Sequence, residues 1–250
     1  MCTVVVLHRP DHPWPVLIAA NRDEMRDRPW DAPARHWPDR PHVTAGRDAL
    51  AGGTWMGVND DGLVACVLNR MNTLGPDPDK RSRGELPLEA LDHAEAHEAA
   101  HFMAALDPDA YRPFNLVIAD CRGVFWLRND GARVTVDELD KGCSMITAHD
   151  LNDAVNSARI RRHLPRFRTA PPPDPDADDG VGDWFAWESL LADRSGDDYE
   201  TMNVDLDSGF ATVSSSLVAI PAPGFEHRPP VWRFAPGPPD EVDFVPVMMG

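Results

Sequence analysis

The cysteine at position 2 can carry chemistry open to no other cysteine of this chain. Cysteine is small enough for Met1 removal to be expected, and removal leaves a thiol and a free α-amine on one carbon. The amine, with a reference pKa of about 7.7–8.0, can take the proton of its own thiol, at about 8.5. An N-terminal cysteine therefore needs no separate histidine to act as a nucleophile. The geometry requires a chain that starts as a strand held inside the fold, and Thr3-Val4-Val5-Val6-Leu7 supplies one. A cysteine after a start codon is a weak signal alone. It gains weight from Asn21-Arg22-Asp23-Glu24, which follows directly on a second apolar run at 16–20. If the two runs pair as a hairpin, the end of the second lies beside the start of the first. Arg22 would there lower the thiol pKa or bind an anionic group, and Asp23 would orient the α-amine. The plainer alternative is a solvated turn with one surface ion pair.

Other reactive residue types are less persuasive. Cys66 and Cys121 sit in apolar contexts and read as small buried hydrophobes in or beside strands, and the four cysteines have no CxxC spacing. His93, His97 and His101 recur at i, i+4 and i+8, which would align them on one helical face. His-Glu-x-x-His is absent, however, and a solvated face is the reading taken; no metal or other cofactor is expected. Ser214-Ser215-Ser216 has no evident His and Asp companions for a serine triad.

Those side chains need a scaffold, and 250 residues suffice to bury a sizeable core. A formal net charge of −17 excludes nucleic acid as an expected partner, since phosphate binding wants surplus Lys and Arg. The apolar runs at 3–7 and 16–20 are too short to span a bilayer, and no basic segment followed by a long apolar one opens the chain; a cytoplasmic location without integral membrane association is expected. Strands are read at 2–7, 15–20, 52–58, 63–69, 115–119, 124–127, 134–137, 212–220 and 231–234, with turns at 59–62 and 120–123. Residues 86–106 read as one amphipathic helix or two short ones. Residues 157–168 read as a helix with a basic face of Arg159, Arg161, Arg162, Arg166 and Arg168, and 184–193 as a short helix. The Pro- and Asp-rich stretch 171–182 is expected to form a mobile surface loop. This order of strands and helices suggests helices packed on antiparallel sheets.

Several motifs taken in order resemble one family. Met1-Cys2, Ala19-Ala20-Asn21-Arg22-Asp23-Glu24, Gly52-Gly53-Thr54-Trp55-Met56-Gly57, Ser82-Arg83-Gly84-Glu85-Leu86 and Phe114-Asn115-Leu116-Val117-Ile118-Ala119-Asp120 are similar to the NRDE family, whose eukaryotic members are called transport and Golgi organisation 2 proteins; Thr212 to Leu217 is a weaker match. The family resembles the N-terminal nucleophile hydrolases. The resemblance implies a single domain over 1–250, an α+β four-layer αββα sandwich of two antiparallel sheets. It also implies Cys2 as nucleophile with Arg22 and Asp23 beside it, Asn69 as a candidate oxyanion donor, and Asn21 and Trp55 near a small-molecule substrate. The family's Leu-Ser-Asn segment corresponds here to Thr147-Ala148-His149-Asp150-Leu151-Asn152, leaving Asp150 or Asn152 in the asparagine's place. Val213 stands before Ser214 where members often carry Arg. The implied activity is hydrolysis of a linear, non-peptide amide such as an N-acyl compound through an acyl-enzyme on Cys2. The rival is a non-enzymatic haem, lipid or acyl-CoA binding or trafficking protein on the same fold.

Overall fold

The computed structural model describes residues 1–177, 182–224 and 228–249. Its strands form two antiparallel sheets. The first contains β1 (Thr3–His8), β2 (Val16–Met25), β10 (Gly142–Ile146), β11 (Phe210–Ile220), β12 (Val231–Ala235) and β13 (Val245–Pro246), in the order β10-β1-β2-β11-β12-β13. The second is a meander of β3 (Trp30–Ala34), β4 (Val43–Asp48), β5 (Met56–Asn59), β6 (Val64–Asn69), β7 (Phe114–Ala119), β8 (Val124–Asn129) and β9 (Val134–Glu138). Helices α1 (Glu85–Leu91) and α2 (Ala96–Ala104) join β6 to β7. Helices α3 (Ala158–Thr169) and α4 (Phe185–Leu191) lie between β10 and β11.

The run Val4-Val5-Val6 does not alternate with polar residues because both faces of the first sheet are covered. Val4, Val6, Val16 and Ile18 meet Met56, Val58, Val64, Cys66 and Trp126 of the second sheet. Val5, Leu17, Ala19 and Leu217 instead pack on Ile160, Leu164 and Phe167 of α3 and on Trp187 and Leu191 of α4. On the far face of the second sheet, Ala45, Ala65, Leu116 and Leu127 pack on Leu86 and Leu91 of α1 and Ala100 and Met103 of α2. Helix, sheet, sheet and helix thus form four layers, as the sequence implied. No helix of the described residues is long and apolar enough to cross a membrane.

The first hairpin has the register Thr3↔Asn21, so β2 ends beside the start of the chain. The strand runs on to Met25, and Asn21, Arg22 and Asp23 are buried within it. The solvated-turn alternative is therefore excluded, because β11 pairs with β2 along this whole length. Residues 52–55, expected to begin a strand, instead form a turn before β5. Asp48 Oδ1 accepts the backbone N–H groups of Leu50 and Ala51, and Gly52 adopts φ +74°. Gly53 then lies so close to Gly84 that an added Cβ would sit 2.5 Å from the Gly84 carbonyl carbon, and the Thr54 N–H donates to the Gly84 carbonyl over 2.8 Å. The Gly-Gly-Thr-Trp and Ser-Arg-Gly-Glu motifs are thereby one packed unit that brings Trp55 and Arg83 to the same region. A Gly53→Ala substitution is expected to cost about 1–3 kcal/mol, because backbone must move to admit the methyl; urea unfolding measures it, and a loss below ~0.5 kcal/mol would reject the close packing.

Two sequence readings need correction. His93 lies ahead of α2, so only His97 and His101 share a helix; His93 packs its ring on Phe102, with centroids 5.1 Å apart. The proposed basic face of α3 is also not uniform, since Arg159 is 1% exposed and turned inward. Of the loop expected at 171–182, residues 178–181 lie outside the described residues; in the rest, Asp174 bridges to Asp183, just beyond the segment, through two 2.9 Å backbone hydrogen bonds.

Candidate active site around Cys2

Period-two alternation sorts the site into two faces. Cys2, immediately ahead of β1, and Arg22 on β2 face the second sheet, and both line a cleft of about 530 Å³. Asn21 and Asp23 hold their polar side-chain atoms on the helix-bearing face. A register shift in the β2–β11 pairing preserves this arrangement: Asp23 pairs with Thr212 and Arg22 with Ser214, leaving Val213 as the extra residue. Thr212 Oγ1 consequently donates to Asp23 Oδ1 over 2.7 Å. The position where the resembled family often has arginine is thus the bulge residue.

Asp23 is the hub of the buried polar network. Its Oδ2 lies 2.9 Å from the Met1 ammonium and 3.0 Å from Arg159 Nη1, and its side chain is fully buried. Arg159 Nη1 also donates to Thr3 Oγ1 over 2.9 Å and to the Met1 carbonyl. Burying a carboxylate is tolerable only when cations and donors replace its water, and Arg159, the chain's own ammonium and Thr212 do so. Arg159 was not singled out as an inward residue by the sequence. One signal did exist: it lies in the first turn of α3, after the Ser157 N-cap, where the helix dipole disfavours a cation unless an anion faces it.

As a residue, Cys2 is half-buried. Its Sγ accepts the Asp23 N–H at 3.4 Å and donates to the Asp23 carbonyl at 3.5 Å. Removal from water, and then the negative charge of Asp23, push the thiol pKa up; the N-terminal ammonium, the Asp23 N–H and Arg22 oppose that rise. With Met1 in place the thiol is therefore protonated near neutrality. Burial pushes Cys66 up to about 12 and Cys143 up to about 11. Alkylation depends on thiolate, so labelling of Cys2 is expected to accelerate as pH rises toward and past its ordinary value. Half-buried Cys2 and Cys121 are expected to react well before Cys66 and Cys143, read by peptide mass spectrometry; equal rates at all four would show an unfolded chain or a closed Cys2.

Arg22 stacks on Trp55 with its guanidinium carbon 4.2 Å from the ring centroid, a cation–π contact strengthened by desolvation. Burial pulls its pKa down. Arg22 Nη1 and Ser214 Oγ are buried with no hydrogen-bond partner among the described residues. Both residues line, with Cys2 and Trp55, a second, smaller pocket of about 20 Å³, large enough for one water-sized group. These two side chains are donors held ready beside the sulfur.

The other expected site residues divide. Asn69, the last residue of β6, lines the cleft with Cys2, Arg22, Asp23 and Trp55. The Asn21 amide donates to the carbonyls of Leu191 and Met202, and its oxygen accepts from Ser215. These bonds tie α4 and the chain after it to the first sheet. Asp150 is held in ion pairs to Arg70 and Arg128, both 2.7 Å. Asn152 adopts φ +55° and its Oδ1 accepts the Met145 N–H, which fixes the chain leaving β10. Neither Asp150 nor Asn152 is among the residues lining the Cys2 cleft. Among the described residues, no group of three or more His, Cys, Asp or Glu side chains is placed to hold a metal ion.

Solved structures share this architecture. The N-acylethanolamine-hydrolyzing acid amidase ortholog of Caenorhabditis elegans superposes with a TM-score of 0.57 at 14% identity, covering 89% of this chain and 94% of that one. Penicillin V acylase from Agrobacterium tumefaciens gives 0.52 at 14% identity, over 94% of this chain and 83% of that one. A variant of the conjugated bile acid hydrolase from Clostridium perfringens gives 0.55 at 10% identity, over 100% and 97% of the two chains. At such identities the likeness concerns the fold, which is that of the N-terminal nucleophile hydrolases. No curated protein matches the chain. The model of the family described as Transport and Golgi organisation 2 matches residues 1–170, over the segment that carries Cys2, Arg22, Asp23, Trp55, Asn69 and Arg159. The chain belongs to the Transport and Golgi organisation 2 family.

Proposed function

We propose that this protein is an N-terminal-cysteine amidohydrolase acting on a linear, non-peptide amide. One observation carries the reading: the Cys2 sulfur lines an open cleft beside Arg22, and Asp23, which meets that sulfur through its backbone, holds the chain-terminal ammonium on its buried carboxylate. Loss of Met1 transfers the free amine to Cys2. That amine takes the thiol proton, and the sulfur attacks the amide carbonyl carbon. Asn69 donates to the oxyanion that develops, a type of contact worth about 2.7–4 kcal/mol, with Arg22 close enough to share its charge. The C–N bond breaks as the amine returns its proton to the departing nitrogen. A water then attacks the thioester, giving a proton to the α-amine, and the tetrahedral intermediate expels the Cys2 thiolate to free the acid. Asp23, neutralised by Arg159, keeps the amine oriented throughout. One structure that shares the fold is named for hydrolysis of N-acylethanolamines, a class of linear amide, which supports this reading.

Intact mass and a substrate screen test the proposal together. Met1 should be absent from the mature chain, and N-acyl amides should be cleaved by the wild type and not by Cys2→Ala. Retention of Met1 sinks the α-amine mechanism. Binding of haem or a lipid by both proteins without any turnover would favour the carrier alternative.

A further inference from the structure

This chain carries a net charge of −17, yet one wall of the Cys2 cleft is positive. Arg22, Arg28, Lys80, Arg81, Arg83 and Arg112 line it against the carboxylates of Asp23, Glu24, Asp48 and Asp77. Most of these charges are already answered. Asp23 is held by Arg159; Arg28 meets both Glu24 and Asp48; Arg81 meets Glu85 and Glu89 from outside the cleft. Arg22 lies against Cys2 with its guanidinium stacked on Trp55, whereas Arg83 and Arg112 sit farther along the lining with hydrogen bonds that go to neutral groups. Arg83 Nη1 donates to Thr73 Oγ1 at 2.8 Å and to the Pro113 carbonyl at 3.1 Å, and Nη2 donates to the Thr73 carbonyl at 2.8 Å. Arg112 Nη1 points at the carbonyls of Leu74, Gly75 and Pro76, at 3.0–3.5 Å.

Carbonyl and hydroxyl acceptors orient a guanidinium without cancelling its unit charge. Three acceptor contacts on a five-donor group leave two N–H bonds of Arg83 for another partner. We propose that Arg83 and Arg112 form a subsite for an anionic oxygen group, a carboxylate or phosphate, at the end of the amide substrate away from Cys2. This subsite rests on the reading of Cys2 as the reactive centre and adds the substrate class. An anion there relieves the repulsion between two cations gathered in a partly desolvated wall. That repulsion is visible in Arg83, whose pKa burial and the charge of Arg112 bring down to about 10. The Gly53–Gly84 contact fixes the spacing, since Arg83 immediately precedes Gly84 and Trp55 lies two residues beyond Gly53. A positive cleft on an acidic surface also draws anions in and spares the rest of the molecule their company.

Calorimetric titration with three amides of one acyl chain tests this: N-decanoylglycine, N-decanoylphosphoethanolamine and N-decanoylethanolamine. Full-length Cys2→Ala is used for binding and the wild type for turnover. Charge-assisted contacts predict that at least one anionic amide binds about tenfold or more tighter than the neutral one at low salt. The advantage should shrink as ionic strength rises. Whichever of the glycine and phosphoethanolamine arms is tighter identifies carboxylate or phosphate. Arg112→Gln should remove most of the advantage without weakening the neutral amide, and Arg83→Lys, which keeps a charge but loses the fork, should reduce it. Arg83 also staples Thr73 to Pro113, so thermal unfolding accompanies each variant, and the salt series on Cys2→Ala stands without any arginine substitution. Equal affinity for all three amides, absence of binding by all of them, or an advantage unaffected by Arg112→Gln would each overturn the subsite. Tight anionic binding without wild-type turnover would keep the subsite and reject the hydrolase; equal cleavage and binding of all three would do the reverse.

Discussion

Arg159→Met is expected to destabilise this protein by about 3–5 kcal/mol, the range for removing one partner of a buried ion pair. Arg159 is 1% exposed and the Asp23 side chain fully buried, so nothing but protein can answer the carboxylate once the guanidinium is gone. Thr3 would lose its donor in the same step. Methionine keeps most of the volume, which makes the loss electrostatic and not a cavity effect. The Arg159→Met, Asp23→Asn double variant should recover part of the stability, because it removes the fully buried carboxylate and leaves only the terminal ammonium without its partner. Arg162 offers the control on the same helix: its pair with Glu200 is partly exposed, and Arg162→Met should cost under about 1 kcal/mol. Urea unfolding of the four proteins decides the matter. Equal costs for Arg159 and Arg162 would mean that the Asp23 network is not the buried hub described.

Cys2→Ser is expected to leave the fold intact and to lower amide turnover by at least about three orders of magnitude, the scale on which covalent catalysis depends on its nucleophile. The hydroxyl occupies nearly the same space but surrenders its proton far less readily to an α-amine. Stability should change little, because the hydrogen bonds of the sulfur among the described residues are two long ones to backbone, at 3.4 and 3.5 Å. Thermal unfolding and single-turnover kinetics check the two halves separately. Turnover that survives would move the chemistry to another group, and a collapse in stability would make Cys2 a packing residue. Asp23→Asn should reduce turnover while sparing alkylation of Cys2 at high pH, since it acts on the amine's orientation and not on the sulfur's access.

Much of the fold is legible along the chain because local rules and tertiary demands agree there. The turn at 59–62 follows from Asn59, whose Oδ1 accepts the N–H groups of Asp61 and Leu63, and from Gly62 at φ +82°. The turn at 120–123 follows from Asp120, whose Oδ1 accepts from Arg122 and Gly123 while Oδ2 accepts the Ala96 N–H that opens α2. Strands β3, β4 and β10 were not legible: they are half polar or interrupted by proline and glycine, and their pairing partners in the sheets make them strands. The three histidines misled because their spacing fits a helix that the chain breaks before Glu95, the N-cap of α2.

Residue type and hairpin patterning alone determined that Cys2 meets Asn21-Arg22-Asp23, since two runs of this length joined by a short loop can pair antiparallel in few registers. Tertiary structure decided what each of those three residues does. The pleat sends Arg22 into the cleft with Cys2 and turns Asn21 and Asp23 to the other face, and the bulge at Val213 sets Thr212 and Ser214 opposite their partners. Arg159 reaches Asp23 across 136 residues of sequence, and Arg83 joins the cleft only because two glycines let their backbones touch. No periodicity can announce such contacts, because they depend on how layers stack and not on how any one element repeats.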